Sequence, residues 1–247
     1  MSDADLLLEI LRALPPKPSD SATQAEKKRY SERLSQQVAL GLAGELRRRG
    51  LAEARPAPSE LAAKGDKSGA ERRMAGGIGA KKVDVTWATE ESGLLFAISI
   101  KSINFRDKLT QNLQKNLTNR RGDMLFETVT LHRRFPYAVV VGFFFLDNEA
   151  RLDGTARRKS TFLNAHQRLK LFTGRNDPSG RDEQLERLYV VLLNPDPVSP
   201  GVDVFLAGSP DKSVSLASAI EEWMELLVDR NPDFYEIIDG KLKKFRQ

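Results

Sequence analysis

Asp84, Ser99 and Lys101 are three polar residues in a stretch that otherwise reads as a β-hairpin, KKVDVTWATEESGLLFAISIKSINFRD, residues 81–107. An acid on one strand and a lysine closing the next suit metal-dependent phosphodiester chemistry. A carboxylate holds a divalent cation, and an ammonium steadies the scissile phosphate or the attacking water. Pairing the strands about a centre between Glu91 and Ser92 sets Asp84 opposite Ser99 and Lys82 opposite Lys101. Alternation then puts Asp84, Ser99 and Lys101 on one face and Phe96, Ile98 and Ile100 on the other. The bland reading of the same residues is a cross-strand salt bridge on a solvent face.

Two features outside the hairpin favour the chemical reading. On the helical wheel of residues 23–49, Glu45 falls between Leu34 and Val38, inside the apolar stripe. A carboxylate there is costly unless it is paired or binds metal; the alternative is a salt bridge to an arginine near the helix end. The stretch after the hairpin is rich in Gln, Asn and Arg, types suited to phosphate and groove contacts; a plain polar helix face is its bland counterpart.

These residues need a scaffold. A short amphipathic helix is expected over 3–14, stopped by Pro15-Pro16-Lys17-Pro18. A second, capped by Ser21 or Thr23, runs to Arg49 and ends at Gly50, with the stripe Leu34, Val38, Leu42, Leu46 and with Gly41 allowing close packing. Residues 52–70 read as a surface loop, and glycines 76, 77 and 79 feed the hairpin. A long helix from Asp107 to Arg134 follows, with Leu109, Leu113, Leu117, Met124 and Leu131 near one face and Gly122 as a potential break. PYAVVVGFFFLD (136–147) reads as a strand buried on both sides. Next come a helix over Thr161–Phe172, strands 188–194 and 202–208, and a helix over 215–228. The order implies an α/β (α+β) fold, a mixed central β-sheet flanked by helices. Residues 1–20 are an N-terminal helix and Pro-rich linker, and 21–247 the main domain.

Composition narrows the chemistry. The chain has no cysteine and two histidines, His132 and His166, which excludes thiolate sites and a His-rich zinc site and leaves oxygen ligands and Mg²⁺ or Mn²⁺. No membrane span or signal peptide is visible, so a cytoplasmic protein is expected. Net charge is +5, yet Lys101–Arg175 holds 15 Lys and Arg against 6 Asp and Glu, so the rest sums to −4. Basic charge concentrated beside a carboxylate site is the footprint of a polyanion substrate; a solvated basic face is the alternative. The expected contacts are Lys81, Lys82, Asn104, Arg106, Gln111, Gln114, Lys115, Arg120 and Arg121, then Arg157, Arg158 and Lys159 in the basic segment 148–180, with Arg168, Lys170 and Arg175 beyond them.

Acid on one strand, x-x-Lys closing the next, a Glu on a preceding helix and a polar helix after: over residues 30–147 this resembles the PD-(D/E)xK nucleases, the restriction-endonuclease-like enzymes. The resemblance implies that Asp84 ligates Mg²⁺ with Ile100 in the metal's shell, that Lys101 assists the water, and that Glu45 is the helix acid. Ser99 departs from the pattern, which has Asp or Glu there. Three outcomes are ordered: Glu45 supplies the missing carboxylate; Glu127 does, from the following helix, as in family members with Ser-x-Lys; or the site is dead and the domain only binds nucleic acid. The implied activity is a Mg²⁺-dependent DNA endonuclease, a type II restriction enzyme or another bacterial defence nuclease. It would act on double-stranded DNA as a homodimer. A non-catalytic nucleic-acid-binding module and an RNase or single-strand nuclease in a defence complex are the alternatives.

Overall fold

The computed structural model describes residues 6–58, 72–76, 79–109 and 112–245, with the backbone alone over 72–76 and 79–82. Two helices open the chain. α1 (Leu6–Ala13) buries Leu7 and Leu11. α2 (Gln24–Arg48) starts at Thr23, whose side chain accepts from the Glu26 N–H while the Glu26 carboxylate accepts from the Thr23 N–H. Such a capping box contributes about 1 kcal/mol. Leu34, Val38, Leu42 and Leu46 are all buried, as their spacing requires. A Cβ at Gly41 would meet Ile10 Cδ1 at 2.6 Å, so the glycine lets α1 sit close on α2. The helix stops at Gly50, whose φ of +99° ends the helical path and whose bare Cα abuts the Leu242 carbonyl.

The next strands correct the hairpin reading. β1 (Arg72–Gly76) and β2 (Gly79–Val83) form their own antiparallel ribbon, with Arg73 opposite Lys82. Lys82 therefore does not face Lys101. The chain bends at Asp84 and only then enters the main sheet as β3 (Val85–Thr89), paired with β4 (Gly93–Ile103). The pairs Val85–Ile98, Thr86–Ala97 and Trp87–Phe96 carry the expected register, which shifts by one between Trp87 and Ala88. Asp84 is one step beyond the last pair, in the bend between the two ribbons.

α3 (Leu117–Arg134) crosses from β4 to β5 (Val139–Asp147), and α4 (Thr161–Leu169) from β5 to β6 (Arg187–Asn194); β7 (Gly201–Leu206) and α5 (Leu216–Arg230) follow. The sheet order is β3-β4-β5-β6-β7, parallel at β4–β5 and β5–β6 and antiparallel at both edges. Every residue of β5 is buried, as its unbroken apolar run demands of a central parallel strand. Two successive parallel crossovers of one hand put α3 and α4 on the same face. There Met124, Leu131, Phe162 and Leu169 pack on Ala97, Val140, Phe144 and Val190. On the other face the residues of α2 and α5 pack with Phe96, Ile98, Ile100 and Phe143. A mixed central sheet flanked by helices is thus the observed architecture.

α3 begins ten residues later than expected, after a 3₁₀ turn at Gln114–Asn116, and it passes through Gly122 unbroken. Leu109, expected on its apolar face, is 88% exposed on the loop before it. Residues 6–20 pack onto the domain: α1 lies on α2, Lys17 Nζ is 2.6 Å from Asp147 Oδ2, and Asp20 Oδ1 accepts the Arg106 N–H at 3.1 Å. A terminal ribbon, β8 (Tyr235–Ile238) and β9 (Lys241–Lys244), turns on Asp239 and Gly240, both at positive φ, the geometry an Asp-Gly turn favours. No helix among the described residues is long and apolar enough to cross a membrane.

One buried charge network ties the layers. Glu186 Oε1 lies 3.0 Å from Arg175 Nη1 and 2.6 Å from Arg230 Nη1, while Oε2 lies 3.2 Å from His132 Nε2 and accepts the Val140 N–H at 2.6 Å. His132 is structural here, and so is Arg175, expected as a phosphate contact but only 2% exposed.

Candidate active site

Alternation along β4 aims Ser99 and Lys101 at α3 and leaves Ile98 and Ile100 in the opposite core. Because α3 is the crossover between β4 and its parallel neighbour, it lies over the face on which those polar side chains emerge. It delivers Glu127. Ser99 Oγ donates to Glu127 Oε2 at 2.6 Å, and Lys101 Nζ lies 2.9 Å from each carboxylate oxygen. The Lys101 and Glu127 side chains are 11% and 14% exposed, so solvent screens this pair weakly. At the strand edge, Asp84 Oδ2 accepts the Ile100 N–H at 2.7 Å. Three consecutive residues of β4 thus anchor two carboxylates, one from the bend before β3 and one from α3. Ile100 has a buried apolar side chain, so only its main-chain oxygen could serve a metal.

Asp84, Ile100 and Lys101 line a cavity of about 980 Å³ whose walls are the first half of α2, the end of β4, the loop after it and the start of α3. Its described lining carries seven cations (Lys27, Lys28, Lys101, Arg106, Lys108, Lys115, Arg120) and three acids (Glu32, Asp84, Asp107). That excess suits a polyanion.

Glu45 is elsewhere. The cavity lining on α2 reaches Gln36 and no further, whereas Glu45 is near the C-terminal end of the helix. It is 3% exposed, its Oε1 accepts from Arg49 Nε at 2.9 Å, and its Oε2 takes the Arg48 guanidinium. The i+3 and i+4 arginines satisfy the buried charge locally, so no metal is needed to explain it. The α2 acid at the cavity is Glu32, 3.7 Å from Lys28.

Of the expected nucleic-acid contacts, Asn104, Arg106, Lys115 and Arg120 line the cavity. Asn104 also reaches Ser31, Arg106 pairs with Glu149, and Lys115 with Asp107. Gln114 and Arg158 bond to each other at 3.0 Å, outside the lining, and Arg121 stacks its guanidinium 5.7 Å from the Phe172 ring centre. Arg157 and Lys159 are exposed beyond the lining, and Arg168 donates to Thr118. Gln111 and the side chains of Lys81 and Lys82 lie outside the described residues.

Lys27, Lys28, Ser31 and Glu32 of α2 are among the cavity residues that sequence reasoning missed. Their signal was the polar side of α2 at spacings of three and four, which reads as plain solvent face until the β4–α3 loop closes over it.

The donor set suits Mg²⁺: Asp84, Glu127 and a main-chain oxygen are hard ligands, and Mg²⁺ is commonly held by one or two carboxylates with water completing its shell. Among the described residues no group of three or more His, Asp and Glu gathers as a metal cluster. No protein-family model, no curated protein and no solved structure matches the chain.

Proposed function

We propose that this protein is a Mg²⁺-dependent DNA endonuclease with a restriction-endonuclease-like core, and that its second acid is Glu127. The observation that carries the reading is the meeting of Glu127 with Ser99 and with Lys101, a residue that lines a basic cavity together with Asp84. It supplies the carboxylate that Ser99 lacks, and it moves the choice from Glu45 to Glu127.

Asp84 and Glu127 would hold the cation, which supplies Lewis acidity to the scissile phosphate and to the attacking water. The chain's own residues do the rest. Lys101 stabilises charge developing on the phosphate oxygens. Ser99 fixes the Glu127 rotamer through its hydroxyl. Lys28, Arg106, Lys115 and Arg120 draw in the sugar-phosphate backbone and hold it over the site. Two copies, one per strand, would cut a symmetric duplex.

The second reading, a non-catalytic nucleic-acid-binding module, is favoured by the lack of a third acid beside Asp84 and Glu127 among the described residues. Incubation of the purified chain with supercoiled plasmid in Mg²⁺, Mn²⁺ and EDTA separates the two. Nicked and linear products with the metals and none with EDTA are expected; binding to duplexes of varied sequence without cleavage in either metal would leave the binding module.

A further inference from the structure

A carboxylate awaiting a cation should offer it an open oxygen, yet both oxygens of Glu127 face the Lys101 ammonium at 2.9 Å, and Oε2 also accepts from Ser99. We propose that Lys101 is a built-in competitor for the divalent cation. Its ammonium holds Glu127 in the resting protein, a cation takes the carboxylate from it, and the exchange releases the ammonium to the substrate phosphate. This rests on the nuclease reading of the same site and adds to it how the site is regulated.

Three observations argue for the exchange. Lys101 lines the cavity while Glu127 does not, so a released ammonium has solvent and substrate within reach. Both partners of the pair are mostly buried, so the positive charge of Lys101 weighs heavily on cation affinity. Ser99, meanwhile, gives Glu127 a second anchor that does not depend on Lys101, so the carboxylate keeps its place when the lysine leaves.

The consequence is a loss of activity coupled to a gain in metal affinity, opposite to what a lysine acting only on substrate would show. Mn²⁺ binding by the full chain without DNA, followed by electron paramagnetic resonance, reads it. Lys101→Met should bind Mn²⁺ about tenfold or more tightly than the wild type. Lys101→Arg, which keeps the charge, should stay at the wild-type affinity or below it, and Lys101→Met with Glu127→Gln should lose the gain. A second measurement needs no variant: Mg²⁺ should raise the labelling of Lys101 by a dilute amine-reactive reagent severalfold, read by mass spectrometry. Equal Mn²⁺ affinity in Lys101→Met, retention of the gain in the double variant, or labelling that Mg²⁺ leaves unchanged would each overturn the exchange. Plasmid cleavage by the wild type is scored separately. Exchange without cleavage sinks the endonuclease reading alone, and cleavage without exchange sinks the competitor role alone.

Discussion

Both carboxylate oxygens of Glu127 lie 2.9 Å from the ammonium of Lys101, although the two residues are 26 positions apart, one on α3 and the other on β4. The pair puts an acid where the hairpin alone has a serine.

If this cluster is the catalytic one, Asp84→Asn, Glu127→Gln and Lys101→Ala should each lower Mg²⁺-dependent plasmid cleavage by about a hundredfold or more. Glu45→Gln should cut at a rate near that of the wild type. Its cost should appear in stability instead, about 1–3 kcal/mol from the lost bonds to Arg48 and Arg49, measured by urea unfolding. An inactive, fully stable Glu45→Gln protein would return the second acid to α2.

Ser99→Ala removes the 2.6 Å bond to Glu127 while keeping both carboxylates. A hydrogen bond to a charged group contributes roughly 1.5–3 kcal/mol, so the cleavage rate should drop by about tenfold to a hundredfold. The Mg²⁺ concentration for half-maximal rate should rise, with KM for DNA little changed. A steady-state titration of both substrates checks this split.

Glu186 should dominate acid stability. Burial alone would raise its carboxyl. The hydrogen bond and charge of His132, the charge of Arg230 and the Val140 N–H outweigh burial and hold it below its ordinary 4.5. A depressed acid stabilises the fold above the unfolded value near 4.5, and that contribution is lost as pH falls through the lower folded value. Glu186→Gln leaves two buried arginines without their counter-charge and should cost about 3–5 kcal/mol at neutral pH. Its stability should also depend less on pH below 4.5 than that of the wild type; parallel denaturant melts over that range would settle the matter.

His166 acts in a neighbouring window. Burial pushes its imidazole down from 6.5 to about 4, Asp211 opposes the shift and Arg151 adds to it. Its Nδ1 accepts the Gly208 N–H at 3.1 Å, so the neutral ring is the one that fits. The unfolded chain takes up the proton first, and stability should therefore fall as pH drops from 6.5 towards 4 and stay flat above 6.5. The melting temperature of His166→Gln should be less sensitive to pH over that interval. Equal slopes for variant and wild type would rule His166 out as the source.

Much of the scaffold was legible because its signals are local. The α2 stripe, the unbroken run of β5 and the alternation that separates Lys101 from Ile100 each depend on residues a few positions apart. The pairing of Glu45 was also within reach, since Arg48 and Arg49 stand three and four residues on, the spacing at which helix side chains meet. The bend at Asp84 was hidden, because residues 81–89 alternate well enough to pass as one strand; the separate ribbon with β1 breaks them in two. The late start of α3 was hidden as well, because the polar run 108–116 suits a helix or a loop equally.

The residues alone determined that a serine and a lysine share one face of β4 with an acid close before it in the chain, that cysteine and histidine chemistry has little place, and that basic charge follows close behind. Which carboxylate completes the cluster was decided only in three dimensions. A strand's faces follow from backbone geometry at a period of two residues. The arrival of Glu127 beside Ser99 depends on where α3 starts, on the hand of the β4–β5 crossover, and on the packing of Met124 and Leu131 that sets the helix's rotation over the sheet.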